Sequence, residues 1–305
     1  MTHMATWTPE PGETLLARDA IAFATGTAPR VSGMRWFRDT QRNNIQHELA
    51  GWPEGPDFVI GPEEEKRPAR SAGRFGLRAL YVAVGGALES LGGTGSFLPG
   101  AGEGSGRPQE PENEVEDFPV MWAASGTIAR TLPWQLDPSR CPENYRTHII
   151  VTDRRLVLVG FPDDDPLRDQ ALWETERPNI AHVDRMRFSK VGGDAKVHFL
   201  DGSWCRLAAP GIRKYWSVHR HLVHPSELVA VDALTPRQRE YVESYVGSVT
   251  GRDTSVEPVI TRRPSGKFLI EVTTTEPVRP DLGLLKKYSF MSKAGGRGGF
   301  DPNDL

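Results

Sequence analysis

The chain has 305 residues, a formal net charge of −3 and 38% hydrophobic residues. That hydrophobic fraction lies below the roughly 45–50% of ordinary globular chains, and 31 Gly with 25 Pro add positions that favour turns. The composition therefore predicts one good core with part of the chain outside it. The mildly acidic charge excludes a bulk attraction to nucleic acid or anionic lipid.

Cysteine usage and hydropathy indicate the compartment. Cys141 and Cys205 are the only cysteines, and their spacing is neither that of a disulfide framework nor that of a metal site. The N-terminus lacks a signal-peptide pattern, and no apolar run reaches the about 18 residues of a spanning helix. We therefore expect a cytoplasmic protein, with a peripheral membrane location as the alternative.

The first third of the sequence predicts an N-terminal helical arm, residues 1–99. Residues 13–25 fit either a helix or a strand, and their alanines favour a helix. Residues 74–91 show a clear helical period and are apolar on nearly all sides, so we expect this helix to pack on the sheet or on a second copy of the chain. The Gly-rich, acidic residues 100–117 predict a disordered linker.

From residue 118 the pattern changes to strands. Residues 118–132 predict one or two strands, and residues 145–161 predict two strands joined at a polar elbow, Thr152–Arg155. Asp201-Gly202 predicts a hairpin turn. Further segments complete the series: strands at 171–174, 180–188, 196–200 and 204–208, and a helix at 213–224.

In this order the segments resemble the bacterial pleckstrin-homology-like family, with a looser likeness to GRAM domains. The matching stretches are I-I-V-T-D-R-R-L-V-L-V at 149–159, N-I-A-H-V-D-R-M-R-F at 179–188 and V-H-F-L-D-G-S-W-C-R-L at 197–207. The resemblance covers residues 118–224. It implies an antiparallel β-barrel capped by a C-terminal helix, and a binding role rather than chemistry. The long segment before residue 118 departs from the minimal domain of the family.

The rest of the chain predicts an α/β extension at 225–290, which makes the whole an α+β protein. Thr235 as N-cap and Pro236 at the first helical position open a helix. Residues 234–242 resemble the opening of a LuxR-type helix-turn-helix, but no second helix follows, so no nucleic-acid partner is expected. Residues 291–305 predict a disordered tail.

The candidate ligand-binding residues form a basic set: Arg154, Arg155, Arg185, Arg187, Lys190 and Lys196. Guanidinium groups bind phosphate and carboxylate groups bidentately, so this set predicts a patch for an acidic partner or anionic lipid. The alternative is a solvated sheet face in which nearby aspartates pair with these side chains.

Catalytic and metal-binding motifs are missing from the sequence. Of His219, His221 and His224, only the last two share a helix face, and no nearby carboxylate or cysteine completes a metal site. The glycine runs at 92–106 do not match a dinucleotide fingerprint, and no G-x-S-x-G elbow occurs. We therefore expect no catalytic residues, no metal and no cofactor.

The sequence thus predicts a non-enzymatic binding or adaptor module whose partner is another protein. One alternative is association with an anionic membrane surface through the basic set and helix 74–91. A second alternative is an unrecognised hydrolase or transferase. Helix 74–91 also predicts a homo-oligomer as an alternative assembly.

Overall fold

The fold is known from a computed structural model, and the structure describes most of the chain outside the long segment before residue 120. The predicted helix 74–91 and the predicted linker 100–117 lie outside the described residues. The described residues are 6–24, 37–41, 43, 45, 48–49, 120–138, 140–165, 168–186, 194–209, 217–224, 227–250, 257–273 and 286–304.

These residues form a mixed α+β structure with fourteen described strands, mostly antiparallel, and two described α-helices. The strands are β1 Leu15–Ala20, β2 Ala22–Phe23, β3 Phe37–Arg38, β4 Met121–Trp122, β5 Tyr145–Thr152, β6 Arg155–Pro162, β7 Gln170–Glu176, β8 Ile180–Met186, β9 Asp194–Phe199, β10 Trp204–Ala208, β11 Glu227–Leu228, β12 Val259–Arg262, β13 Phe268–Thr273 and β14 Lys286–Met291. The helices are α1 Ser217–Val223 and α2 Pro236–Thr250.

The first sheet has the order β1-β5-β6-β7 and is built on the predicted β5–β6 hairpin. The elbow prediction is confirmed: the Thr152 hydroxyl accepts hydrogen bonds from the backbone N–H groups of Arg154 and Arg155. Both faces of the hairpin are buried. One face joins the main core, and Ile150 on the other belongs to a small separate cluster.

The start of the chain is a strand, so the helix that composition favoured for residues 13–25 is wrong. β1 pairs with β5, and its continuation β2 pairs with β10 in the second sheet. Every residue from 16 to 24 is buried. Burial on both sides of a strand that joins two sheets outweighs the small helical preference of its alanines.

The second sheet has the order β3-β4-β10-β9-β8, with β2 also paired to β10. Its β9–β10 hairpin confirms the Asp201-Gly202 turn, where Gly202 adopts a φ of 82°. Of the predicted strands at 118–132, the described residues 120–132 contain only β4, followed by a short 3-10 helix at Ala129–Thr131. The main core lies between the two sheets and under α1, and it includes Ile149, Leu158, Val197, Cys205 and Val218. The described strands do not close into a barrel.

The C-terminal extension is a third antiparallel sheet, β11-β12-β13-β14, covered by α2. The predicted start of α2 is confirmed: the Gln238 N–H donates to the Thr235 hydroxyl over 3.3 Å, and the Gln238 side chain accepts from the Thr235 N–H over 2.9 Å. Such reciprocal bonds satisfy N–H groups that a helix start leaves without partners.

The predicted disordered tail is wrong for its described residues. Asp304 is only 1% exposed. Its carboxylate accepts hydrogen bonds from the backbone N–H and the hydroxyl of Ser265, and its backbone carbonyl accepts from the Arg263 guanidinium. These bonds fix the end of a tail whose glycine-rich composition alone predicts disorder.

Gly160 in β6 gives a local test of this packing. An alanine Cβ there would lie 2.1 Å from the Tyr145 hydroxyl oxygen and 2.4 Å from a ring carbon of the same residue. We expect Gly160→Ala to lower the free energy of unfolding by about 1–3 kcal/mol, measured by urea denaturation. Gly247→Ala is the control: no atom lies within 4 Å of its added Cβ, and helix propensity predicts a gain of up to about 1 kcal/mol. Equal stability of the two variants would contradict this packing.

Within the described part of the chain, no helix combines the length and the apolar character needed to cross a membrane.

Candidate functional site

A cleft opens beside the elbow, where the β7–β8 connection and the end of α1 also meet. Its volume is about 760 Å³, and we call it the elbow cleft. Its apolar surface comes from Leu16, Pro178, Ile180, Ala181, Leu222 and Val223. Its polar lining consists of Glu10, Asp153, Arg154, Arg155, Glu176, Arg177 and His182.

The N-terminal arm holds the elbow in place. The Asp153 carboxylate accepts a hydrogen bond of 2.7 Å from the Thr14 N–H, and the Asp153 N–H donates back to the Thr14 carbonyl. The Arg154 guanidinium donates to the Gly12 carbonyl over 2.7 Å, and the Arg154 carbonyl accepts from the Arg177 N–H. These bonds fix the backbone on two sides of the cleft, so its rim is formed before any ligand arrives.

Arg155 is committed to the structure. Its guanidinium contacts the carboxylates of Glu13 at 2.7 Å, Glu174 at 3.0 Å and Glu10 at 3.2 Å, and it lies over the ring of Trp7. The hydrogen bond from Arg155 is the largest cause that lowers the pKa of Glu13 from 4.5 to about 2. A ligand would have to compete with these carboxylates for Arg155.

The Glu13–Arg155 pair makes a pH prediction. Because the pKa of Glu13 is lower in the folded state, its contribution to stability is present above about pH 4.5 and is lost as the pH falls towards 2. Glu13→Gln should therefore be less stable than the native chain at pH 7, and the difference should shrink towards pH 2. Urea denaturation at several pH values measures this, with exposed Glu243→Gln as the control. A difference that stays constant with pH would contradict the prediction.

Arg177 is the side chain in the cleft with an unmet bonding requirement. One guanidinium nitrogen, Nη2, donates to the His221 carbonyl over 2.7 Å. The other, Nη1, is buried and has no hydrogen-bond partner among the described residues. Burial lowers the pKa of Arg177, against the opposing attraction of Asp153. An unpaired buried donor is costly, so an acceptor placed here gains a charge-assisted hydrogen bond and removes that cost.

Two acidic groups of the lining already bind other residues, and two of its arginines bind only neutral groups. Asp153 accepts the backbone bond from Thr14, and Glu10 pairs with Arg155. Arg154 and Arg177 make their described guanidinium bonds to neutral carbonyl groups. An anionic ligand therefore meets two guanidinium groups that no described carboxylate neutralises by direct contact.

The predicted basic set is not gathered in one place. Arg154 and Arg155 line the elbow cleft, whereas Arg185 and Lys196 do not. Because Lys196 is paired opposite Asp184, the next residue along β8, Arg185, points to the other face of the sheet. Lys196 is buried with its ammonium group 4.1 Å from the centroid of the Trp204 ring. Arg187 and Lys190 lie outside the described residues.

Sequence reasoning missed Arg177. The available signal was the Arg177-Pro178 pair between two predicted strands, since proline there marks a connection and connections carry many binding residues. Its place in the cleft depends on α1, which follows about forty residues later and supplies the carbonyl acceptor.

The histidines of α1 do not form a metal site with one another. His221 is fully buried, and its Nε2 lies 2.7 Å from a carboxylate oxygen of Glu271 in β13. Arg220 donates to the other oxygen of the same carboxylate over 2.7 Å, and the Lys286 ammonium group lies 3.9 Å from the oxygen that His221 contacts. Lys286 also donates to the Leu16 carbonyl of β1. This sealed cluster joins α1 and β1 to the third sheet, which is a structural task.

A second histidine cluster, also missed, lies on the outer face of β8 and β9. The ligand atoms of His182, Asp184 and His198 all fall within 4.8 Å of one another. His182 and Asp184 share a face because they lie two residues apart on β8, whereas His198 joins them only through the pairing of β8 with β9.

Comparison with known proteins assigns no family: no family model matches the chain, and no curated protein matches it. The function has to be inferred from the elbow cleft and the fold around it.

Proposed function

We propose that this chain is a non-enzymatic binding module of pleckstrin-homology-like fold, whose elbow cleft holds an acidic, partly apolar segment of a partner protein. The observation that carries the proposal is Arg177, a partly buried residue whose buried Nη1 has no hydrogen-bond partner among the described residues, beside the apolar lining of the cleft.

Strand order supports the fold in this proposal. β1 with its continuation β2, then β5, β6, β7, β8, β9 and β10, make seven strand units in two antiparallel groups, and α1 follows the last of them. The family has the same series of seven strands and a closing helix. In this chain the first unit comes from residues 15–23 rather than from residues after 118, and the segment between β2 and β4 interrupts the series.

The lining of the cleft supports a peptide rather than a free anion. Leu16, Ile180 and Leu222 offer apolar contact, while Arg154 and Arg177 place two charged donors in the same lining. Binding sites for protein segments combine such an apolar centre with a polar rim. The partner chemistry that fits is an apolar side chain flanked by a carboxylate.

The same lining supports a non-enzymatic role. The described lining residues include no Ser, Thr, Cys, Lys or Tyr, so hydroxyl, thiol and amine nucleophiles are missing from the described lining, which offers carboxylates and one histidine instead. His182 is the one histidine among the described lining residues.

An anionic membrane is a weaker match to the described surface. Binding to such a membrane draws on several basic side chains on one face. Arg185 and Lys196 point to opposite faces, and the cleft itself carries three acidic groups beside its three arginines.

The proposal is tested by selecting peptides from a random displayed library against the immobilised full-length chain. Selected peptides should carry Asp or Glu next to an apolar residue. Arg177→Met, which keeps an apolar stem, should weaken their binding by roughly thirtyfold, the equivalent of about 2 kcal/mol for loss of one partner in a buried charged pair. Arg154→Glu should also weaken binding. Lys287→Glu, the same charge change at an exposed position on β14, is the matched control and should bind as the native chain does.

Two results would overturn the proposal. One is a selected set whose binding is equal in Arg177→Met and Lys287→Glu. The other is a failure to select any peptide while the chain floats with vesicles that contain phosphatidylserine, which would favour the membrane alternative.

A further inference from the structure

The second histidine cluster brings three side chains that can bind a metal close together on the outer face of β8 and β9. His182 and His198 are directly opposite each other in the β8–β9 ladder, and their rings stack with centroids 4.0 Å apart. The Asp184 carboxylate lies 3.0 Å from Nε2 of His198 and 3.8 Å from Nε2 of His182. Two imidazole nitrogens and one carboxylate oxygen therefore lie within 4.8 Å of one another on the outer face.

A β-bulge produces this convergence. Ile180 pairs with Phe199, but His182 already pairs with His198, so Ala181 is an extra residue in β8. Without it, the strict alternation of a strand would place Ile180 and His182 on the same face. With it, Ile180 and Val183 both pack on the core, and His182 and Asp184 both face outward.

The ligand set has a clear chemical preference. Imidazole nitrogens with one carboxylate suit zinc and neighbouring transition metals, whereas calcium and magnesium prefer oxygen ligands alone. Side-chain exposure is 59% for His182, 53% for Asp184 and 19% for His198. The site is thus anchored on its inner side and open to solvent on its outer side, where water or another donor completes the coordination of a three-ligand site.

We propose that His182, Asp184 and His198 bind one divalent transition-metal ion of the zinc class. The stacked rings must first turn, because a metal lies in the plane of each imidazole at about 2.0–2.1 Å from its nitrogen. His182 is exposed and can make that rotation at little cost. This site is separate from the peptide proposal, although His182 also lines the edge of the elbow cleft.

The charged neighbours of the site are compatible with a bound cation. Lys196 is the nearest described lysine, opposite Asp184, and its ammonium group is held over the Trp204 ring at 4.1 Å from the centroid.

Calorimetric titration of the metal-free, full-length chain with Zn²⁺ tests the site. We expect one saturable site per chain, and a visible absorption of the tetrahedral type when Co²⁺ replaces Zn²⁺. His182→Gln, Asp184→Asn and His198→Gln should each weaken Zn²⁺ binding by more than the roughly 10–100-fold that loss of an outer-sphere partner costs. His224→Gln, at the end of α1, is the matched control and should leave the affinity unchanged.

Thermal unfolding of each variant without metal shows whether it is folded, and added Zn²⁺ should raise the melting temperature of the native chain and of His224→Gln only. The proposal is overturned if Zn²⁺ shows no saturable binding, or if folded His182→Gln and His198→Gln bind it as tightly as the native chain. The titration contains no peptide. A failure to bind Zn²⁺ would therefore overturn the metal site and leave the peptide-binding proposal untouched.

Discussion

Replacing Glu271 with glutamine should lower the free energy of unfolding by about 3–5 kcal/mol, the cost of leaving buried charges without their partner. The Glu271 carboxylate is fully buried and contacts Arg220, His221 and Lys286. Although burial alone would raise its pKa, the three neighbours hold that pKa far below the usual range. The carboxylate is thus charged at neutral pH, and it is the one described counter-charge within 4.0 Å of the Arg220 guanidinium.

Glu227→Gln is the matched control for this change. Glu227 also pairs with an arginine, Arg262, at 3.1 Å, but both side chains are about half exposed or more. Exposed pairs contribute about 0–1 kcal/mol, so the control should be nearly as stable as the native chain. Urea denaturation followed by circular dichroism measures both variants. Equal effects of the two substitutions would show that the buried cluster does not join α1 to the third sheet.

Replacing Asp169 with alanine, beside the first sheet, should also lower the free energy of unfolding by about 3–5 kcal/mol. The Asp169 carboxylate accepts hydrogen bonds from both terminal nitrogens of Arg18, at 2.6 and 2.7 Å, and from the backbone N–H of Trp7 at 2.6 Å. The Arg18 and Asp169 side chains are 3% and 1% exposed. Alanine would leave a buried guanidinium without its counter-charge, whereas Asp165→Asn, exposed in the same loop, should cost little.

A double substitution separates the charge from the packing at this pair. Apolar residues of similar volume can replace a buried ion pair at little cost, so Arg18→Met with Asp169→Leu should recover more than half of the loss seen in Asp169→Ala. Urea denaturation of Arg18→Met, of Asp169→Leu and of the double variant gives the coupling free energy, with Asp169→Ala measured beside them. A double variant that is less stable than Asp169→Ala would contradict an effect dominated by the unpaired charge.

The parts of the fold that were predictable from sequence are those set by neighbouring residues. The β5–β6 hairpin, the Asp201-Gly202 turn and the Thr235 cap each depend on a few consecutive residues, and all three are confirmed. The strand Leu15–Ala20 was not predictable in this way. It is a strand because it pairs with β5, about 130 residues later, and no local pattern records that pairing.

The candidate sites were less predictable for the same reason. Arg154 and Arg155 stand at a turn that the sequence marks, and both line the elbow cleft. Arg177 joins them only because α1 packs beside the β7–β8 connection. His182 and His198 meet only through a bulge and a strand register, which sequence periodicity does not specify. Basic residues were easy to count, but the face on which each lies depended on those registers.

The elbow cleft is tested most directly by a photo-crosslinking amino acid placed at Ala181, an exposed residue in the cleft lining, in the full-length chain expressed in its native cells. The account predicts a crosslink to an acidic, partly apolar segment of one protein, and its loss when Arg154→Glu is added. The same probe at Leu200, which is 69% exposed and does not line the cleft, should not capture that segment. Identical adducts from both positions, or an Ala181 adduct that is unchanged by Arg154→Glu, would contradict a binding role for this cleft.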